Sequence, residues 1–575
     1  MRPRDMTLAG TRPHGSYHWD VRRAGGRASP TNSLPTCTAS AFTTAPSADE
    51  EIRMPKSPRQ EKRPELAFTT GDARIAELLQ RMSEIADLGA LSALGAWDQN
   101  TALPDDAGEM RAYQLATLEG VLHDRWTDQR IGQLVQELEQ PVGSAPFTDL
   151  DRGLVREVKR AYDHQTKLPK GLVEEMARVE ANAFEAWRRA RENSDFLGFA
   201  PWLTKIVGLQ REVADRLGYK GVRYDALLDL YEPEMTVAKL DPLFATVREV
   251  STTLLRRIQQ SGREVSDAPL HGTFPRERQL ALADKVLRAM GYDFKRGGVA
   301  VSPHPFTTNF GAPYDVRVTV RPDERFMQAS LMAAIHEGGH AVYEQGSAPV
   351  LARTPLAGGA SLGVHESQSR LWENGIGRSL GFWQGQYHLV REVFSEKYAG
   401  VDVTDFWRAL NKVQPSLIRV EADEVTYNLH IIIRYELEKG LVDGSIAVDE
   451  LPKLWDDKYE QYLGIRPPNA AEGVLQDIHW TSGFGYFPTY TLGNLYGAQI
   501  YTTLRKVFPD FADRLASGDT TFAWAWLREH LYEFGSTYLP DDLIERITGE
   551  KPNPKYFAQY LTAKFEEVYD LPPVG

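Results

Sequence analysis

Cysteine is almost missing from this chain of 575 residues. Cys37 is the only one, so no intrachain disulfide can form and no thiolate zinc site can be built. This scarcity fits a reducing compartment, and we expect a cytoplasmic protein. Any metal must therefore be held by histidine and carboxylate side chains.

Long apolar runs and an excess of positive charge are also missing. No uncharged apolar stretch is long enough to span a bilayer, so the sequence predicts no membrane segment. The formal net charge of −13 gives a nucleic-acid partner no electrostatic support. Hydrophobic content of 42% and charged content of 25% are typical of a soluble globular protein.

The first 65 residues differ from the rest. Residues 1–48 are rich in Pro, Gly, Ser and Thr, carry six arginines, and lack helical periodicity. Such a segment cannot bury enough apolar surface to order itself, and without an apolar core it is not a secretory signal. An organellar transit peptide shares the Arg and Ser bias. We predict a disordered extension over residues 1–65, or a start of translation that really lies further on, for example at Met54.

From about residue 66 the pattern becomes helical, and we predict one mainly α body over residues 66–575. Apolar residues recur at helical spacing from Val173 to Trp187. The run Asp315–Arg321 instead alternates polar and apolar residues, which predicts a half-buried strand. A strand just before the next helix would form a small sheet there, and its edge would be able to pair with an extended peptide.

The most informative run is His336-Glu337-Gly338-Gly339-His340. Two imidazoles four residues apart on a helix point the same way and can bind one metal ion. Glu337 lies where it can take a proton from a water on that metal. Two adjacent glycines cost a helix about 1 kcal/mol each relative to alanine. We therefore expect close packing at Gly338 and Gly339, or a substrate strand that passes there.

A catalytic zinc needs a third protein ligand. The extended motif with a third histidine fails, because Gly346 occupies that position. The third ligand should be a carboxylate. We favour Glu366, which begins a second helical run, over Glu344, which would have to reach back along its own helix. Glu373 lies about two turns beyond Glu366 on the same face, so spacing leaves it open.

Six short motifs, in order, make the chain resemble the thermostable carboxypeptidase (carboxypeptidase Taq) family of zinc peptidases. The likeness covers roughly residues 70–573. The motifs are His304-Pro305-Phe306, Asp315-Val-Arg317-Val-Thr319, His336-Glu-Gly-Gly-His340, His365-Glu366-Ser367-Gln368, Ile418-Arg419-Val-Glu-Ala422-Asp423 and Gly473-Val-Leu-Gln476-Asp477-Ile-His479-Trp480.

The resemblance implies a mostly helical body with a deep groove, related to other long-cleft zinc peptidases. It implies His336, His340 and Glu366 as ligands of one divalent metal, zinc or in some members cobalt. The implied activity is the removal of single amino acids from peptide carboxyl termini, with Glu337 as general base. The resemblance also implies a homodimer.

A carboxypeptidase must bind a free carboxylate, which arginine does with two hydrogen bonds. The family likeness points to Arg419, although a structural ion pair with Asp423 competes with that role. His479 and Tyr486 are the candidates for stabilising the oxyanion.

Other residues receive supporting or structural assignments. His304 and Arg317 would line or brace the groove, and His365 would orient the metal site from behind. The remaining histidines of the globular part are assigned structural roles: His123, His164, His271, His388, His430 and His530.

Two other functions compete with this hypothesis. A metallo-oligopeptidase would cut internal bonds in the same kind of groove, and it would still cleave a peptide whose carboxyl terminus is an amide. A catalytically silent helical binding protein would hold no metal and release no amino acid. The presence of all three candidate ligands and Glu337 argues against the second alternative.

Overall fold

A computed structural model describes residues 66–139 and 147–573. The extension predicted over residues 1–65 lies outside these described residues. Within them the chain is mainly α-helical with one small sheet, so the predicted fold class is confirmed. No helix in the described ranges has both the length and the apolar character needed to cross a membrane.

Four amino-terminal helices share a small core of their own. This core contains Leu78, Leu134 and Leu154, and it also takes in Leu351 from a later segment. The helices are α1 (Ala73–Thr101), α2 (Gly108–Trp126), α3 (Gln129–Glu139) and α4 (Asp149–Lys167).

A much larger core joins the helices that follow. They begin with α5 (Lys170–Glu192), α6 (Phe196–Leu217), α7 (Arg223–Asp229), α8 (Val237–Ser261) and α9 (Arg276–Ala289). The apolar stripe predicted on α5 is slightly displaced. Trp187 is buried, but Met176 is only partly covered while Val179 and Ala183 are fully enclosed. The buried face follows the neighbouring helix α6, which the periodicity of α5 alone does not reveal.

The remaining helices include α10 and α11, which carry the predicted ligands. They are α10 (Met327–Gly346), α11 (Leu362–Arg370), α12 (Leu380–Val393), α13 (Ser395–Tyr398), α14 (Val403–Leu410), α15 (Tyr427–Asp443), α16 (Leu451–Leu463), α17 (Pro488–Val507), α18 (Phe511–Ala516), α19 (Thr521–His530), α20 (Pro540–Thr548) and α21 (Lys555–Val568). A short π-helix, Leu371–Ile376, continues directly from α11.

The small sheet has three strands: β1 (Val299–Val301), β2 (Thr307–Asn309) and β3 (Val316–Val320). Their order is β1-β3-β2, with β1 parallel and β2 antiparallel to β3. The predicted strand therefore exists as β3, but it is central and both of its edges are paired. The expectation that the edge of β3 would pair with an extended peptide is wrong, because β1 and β2 already occupy both of its edges.

Gly338 and Gly339 allow α10 to lie very close to its neighbours. A Cβ added to Gly339 would lie 2.7 Å from the carbonyl oxygen of Gln368 in α11, and one added to Gly338 would lie 2.6 Å from Leu287 Cδ2 in α9. Helix packing therefore explains both glycines. Because Gly339 has no side chain, the backbone of α11 can lie directly against α10 at this point.

We expect Gly339→Ala to destabilise the protein more than Gly338→Ala. At Gly338 the obstacle is the flexible ends of the Leu287 and Met290 side chains, whereas at Gly339 it is backbone. Overpacking of this kind costs about 1–3 kcal/mol, while the alanine itself favours a helix. Chemical denaturation of both variants measures the difference. Equal unfolding free energies would show that the backbone contact does not set the helix spacing.

Candidate metal centre and its surroundings

Three predicted ligands lie together where α10 meets α11. One donor atom each from His336, His340 and Glu366 falls within 4.8 Å of the others. The Nε2 atoms of both imidazoles face the same carboxylate oxygen, Glu366 Oε2, at 3.6 Å from His336 and 3.4 Å from His340. The i, i+4 spacing on α10 and the close approach of α11 at Gly339 produce this arrangement.

These separations fit a tetrahedral cation. Ligand atoms about 2.0–2.1 Å from a zinc ion in tetrahedral geometry are separated by about 3.3 Å, close to the two distances found. Burial lowers the pKa of His340 to about 3, so this imidazole is neutral and its lone pair is available at ordinary pH. The residues present therefore fit a divalent metal held by two nitrogens and one oxygen.

Glu373 is placed behind His336 and not beside Glu366. Its Oε2 lies 2.9 Å from His336 Nδ1, the ring nitrogen that points away from the cluster. Glu373 belongs to the π-helix that follows α11. Such a contact fixes the tautomer and the orientation of a ligating imidazole. Among the candidates, Glu366 alone meets both Nε2 atoms, and Glu373 serves as an orienting acceptor.

His340 is oriented in a similar way by another histidine. His365 Nδ1 lies 2.6 Å from His340 Nδ1, and His365 Nε2 lies 2.8 Å from Glu344 Oε1. The carboxylate of Glu344 accepts a hydrogen bond from the Nε2–H of His365, which leaves His365 Nδ1 to accept one from the Nδ1–H of His340. Glu344 thus acts through His365, and His365 lies behind the site as expected from the sequence.

Arg370 holds the two acidic groups of the site. Its Nε donates to Glu366 Oε1 at 2.7 Å, and its Nη1 donates to Glu373 Oε2 at 3.1 Å. Burial alone would raise the pKa of Glu366, but Arg370 and the two imidazoles hold it well below its usual range. Both carboxylates are therefore ionised, which is the state that a metal ligand and an imidazole acceptor require.

Glu337 lies next to the cluster on the same helix. It is buried, and burial raises the pKa of its carboxyl above the ordinary value. A hydroxyl from β2 contacts it: Thr307 Oγ1 lies 2.8 Å from Glu337 Oε2. A carboxylate with a raised pKa is better suited to accept a proton and return it than an ordinary surface glutamate.

Arg419 lies in a second polar cluster, in a short 3₁₀ turn. It is buried and forms two hydrogen bonds to Asp477, from Nε at 3.1 Å and from Nη2 at 3.0 Å. The proposed competing partner, Asp423, is engaged instead with Thr426 and the backbone of Gln414. The competing ion pair therefore exists, but the expected partner was wrong, because a turn rather than a helix separates Arg419 from Asp423.

His479 and Tyr486 lie beside this second cluster. His479 Nδ1 is 3.4 Å from Asp477 Oδ1, and its ring centroid lies 5.4 Å from that of Tyr486. Burial lowers the pKa of His479 to about 4, so the imidazole is neutral near pH 7. Tyr486 also packs edge-on against Tyr231 at 5.3 Å. The two oxyanion candidates are thus neighbours in an aromatic environment.

Tyr427 connects the two clusters. The guanidinium of Arg370 lies 4.4 Å from the centre of its ring, and Arg419 Nη1 lies 3.4 Å from its hydroxyl oxygen. Sequence analysis did not single out Tyr427, Arg370 or Asp477. Asp477 lies within a recognised motif, but its role became visible only when the fold brought Arg419 to it.

Arg317 and His304 belong to the sheet region. Arg317 pairs with Asp315 through two hydrogen bonds of 2.9 and 2.8 Å, and its guanidinium lies 4.7 Å from the centre of the Phe310 ring. His304 lies in the turn before β2, and its carbonyl oxygen accepts a hydrogen bond from Ser302 Oγ. These contacts agree with a bracing role for Arg317.

Comparisons with known proteins identify relatives of this chain. The family model described as carboxypeptidase Taq (M32) metallopeptidase matches residues 77–565. The chain is 43% identical to thermostable carboxypeptidase 1 of Thermus thermophilus over 87% of this chain and 100% of that protein. It is 38% identical to carboxypeptidase 1 of Bacillus subtilis over 87% and 99% of the two chains.

A solved structure shows the same relation. The M32 carboxypeptidase from Deinococcus radiodurans R1 matches with a TM-score of 0.83 at 37% identity, over 87% of this chain and 100% of that one. The matched region contains both clusters described above. The chain belongs to the carboxypeptidase Taq (M32) family of metallopeptidases.

Proposed function

We propose that this chain, a metal-dependent carboxypeptidase by its family, releases single carboxyl-terminal amino acids through a site built on His336, His340, Glu366 and Glu337. The observation that carries the proposal is the meeting of both Nε2 atoms at Glu366 Oε2, with Glu337 one residue away from the first imidazole. A divalent ion held there would polarise the scissile carbonyl and lower the pKa of water.

Glu337 supplies the proton transfers in this proposal. Its carboxylate takes a proton from the attacking water and later delivers it to the leaving amine. The raised pKa of Glu337, which comes from burial, favours both halves of this cycle. His365 and Glu373 keep the two imidazoles turned so that their Nε2 atoms stay available.

The cluster around Arg419 is the proposed site for the substrate carboxylate. Arg419 and Arg434 both pair with Asp477, which leaves an excess of positive charge in a buried place. Arg434 is fully enclosed and also donates to Gln476 Oε1. Arg419 Nη1 faces the Tyr427 hydroxyl, on the side of the metal cluster. A peptide carboxylate would balance the excess charge there.

His479 and Tyr486 are proposed to stabilise the oxyanion. The neutral state of His479 near pH 7 allows it to donate a hydrogen bond without carrying charge into the site. The Tyr486 hydroxyl is a second donor. His304 and Arg317 are proposed to line or brace the groove.

Several further properties belong to the proposal. We expect one metal per chain, zinc first and cobalt as the alternative, because the ligand set of two imidazoles and one carboxylate suits both. The single cysteine favours a cytoplasmic location. A homodimer and a deep substrate groove are proposed from the family. The oligopeptidase alternative receives no support, since the relatives reported above are named carboxypeptidases.

A time course on one unblocked peptide tests the reaction. We expect mass spectrometry to show the stepwise loss of one residue at a time from the carboxyl end. After treatment with a chelator, no residue should be lost. The same peptide with an amidated carboxyl terminus is the control and should remain intact. Internal fragments from the amidated peptide would establish an endopeptidase instead.

Two substitutions separate metal binding from proton transfer. Glu337→Gln should retain the metal and lose about 10²–10⁴-fold in kcat, the contribution of a positioned general base. His336→Ala should lose both metal and turnover, because it removes one ligand. Metal content by mass spectrometry and kcat are measured on both. Normal turnover in the glutamine variant would remove Glu337 from the mechanism.

Arg419 is tested by comparing two forms of one peptide. In the Glu337→Gln background, Arg419→Ala should weaken binding of the free acid by about 1.5–3 kcal/mol, the value of a charged hydrogen bond. The amide of the same peptide should bind almost unchanged. Calorimetry gives both dissociation constants. An equal loss for acid and amide would assign Arg419 a purely structural ion pair with Asp477.

A further inference from the structure

The first residue of β2 contacts the proposed general base directly. Thr307 Oγ1 lies 2.8 Å from Glu337 Oε2 and 2.8 Å from the Glu337 carbonyl oxygen. A hydroxyl has one proton to donate. The carbonyl of a residue inside a helix already has an N–H partner four residues on, and a hydrogen bond to a charged acceptor is the stronger one. The carboxylate is therefore the favoured acceptor.

The backbone before Thr307 is held by a buried side chain on β3. Thr319 is fully enclosed, and its Oγ1 accepts a hydrogen bond from the Phe306 N–H at 2.8 Å. The Thr319 N–H in turn donates to the Phe306 carbonyl at 2.8 Å. Ser302 Oγ, whose proton goes to the His304 carbonyl, lies 2.7 Å from Thr319 Oγ1. These hydrogen bonds fix the backbone of Phe306, the residue immediately before Thr307.

The side chains next to Thr307 are held as well. The Phe306 ring packs edge-on against Trp97 of α1 at 5.4 Å, and Phe310 does the same at 6.0 Å. Arg317, tied to Asp315, lies against Phe310. Two of the sequence motifs, which contain Phe306 and Thr319, therefore converge on the start of β2, and neither of them supplies a metal ligand.

We infer that Thr307 is a positioning residue, whose hydroxyl holds Glu337 Oε2 so that Oε1 remains the oxygen that exchanges the proton. The inference rests on the proposed function and adds a residue to it. A side chain with three torsions such as glutamate loses catalytic efficiency when its carboxylate is free to rotate, because general-base catalysis depends on geometry. The role of the two sheet motifs is then to build a rigid support for one hydroxyl.

Three substitutions isolate the hydroxyl. Thr307→Val keeps the branched shape and removes the donor, while Thr307→Ser keeps the donor. Thr308→Val is the matched control, since the next residue on a strand points to the opposite face and Thr308 is the more buried of the two threonines. We expect Thr307→Val to lower kcat by about tenfold or more, a part of the general-base contribution. KM, metal content and melting temperature should stay at the wild-type values.

Thr307→Ser should restore most of kcat, and Thr308→Val should leave it unchanged. In the Glu337→Gln background, Thr307→Val should change the residual rate by no more than about twofold, because residues that act as one unit are not additive. Crystals of Thr307→Val should show the Glu337 carboxylate in a different or split rotamer. This readout does not depend on turnover.

Three outcomes would overturn the inference: wild-type kcat in Thr307→Val, an equal loss in Thr308→Val, or a full additional loss in the Glu337→Gln background. A failure of the proposed function would look different. In that case the wild-type protein itself would release no amino acid, whereas the inference alone fails when the wild type is active and Thr307→Val is equally active.

Discussion

The candidate centre depends on one guanidinium that is mostly withdrawn from solvent, that of Arg370. Arg370 contacts Glu366 on one side and Glu373 on the other, and these two carboxylates meet opposite nitrogens of the same imidazole, His336. Without this cation, two buried negative charges close together would protonate or repel each other. Because Arg370 keeps both ionised, one is able to serve as a ligand while the other fixes the imidazole tautomer. Arg378, which also contacts Glu373, strengthens the same balance.

Close helix packing gives this electrostatic arrangement its geometry. Gly339 lets α11 approach α10, and Gly493 of α17 lies against Glu366, where a Cβ would fall 2.5 Å from Glu366 Cγ. The ligand carboxylate is thus enclosed by two helices that approach through glycine. Because an enclosed glutamate has few rotamers available, little conformational entropy remains to be lost when a cation binds. The glycines would therefore favour the binding of a cation at this site without touching it.

The sequence predicted the placement of side chains where that placement follows local spacing. The i, i+4 histidines, the adjacent Glu337 and the strand before them all depend on residues a few positions apart. Spacing favoured Glu366 over Glu344 as the third ligand but left Glu373 open. The positions of these carboxylates depend on a π-helix and on how two helices cross. The partner of Arg419 was missed for the same reason, because Asp477 is 58 positions away along the chain.

The second cluster has an excess of buried cations, which the first one does not have. Around His336, the cations Arg370 and Arg378 face the anions Glu366 and Glu373. Around Asp477, two buried guanidiniums share one carboxylate, and the nearby His479 is neutral. An uncompensated buried charge is expensive, so a cluster that keeps one is best explained by a ligand of opposite sign. The carboxyl terminus of a peptide would supply that charge, and Tyr427 lies between this cluster and Arg370 of the metal cluster.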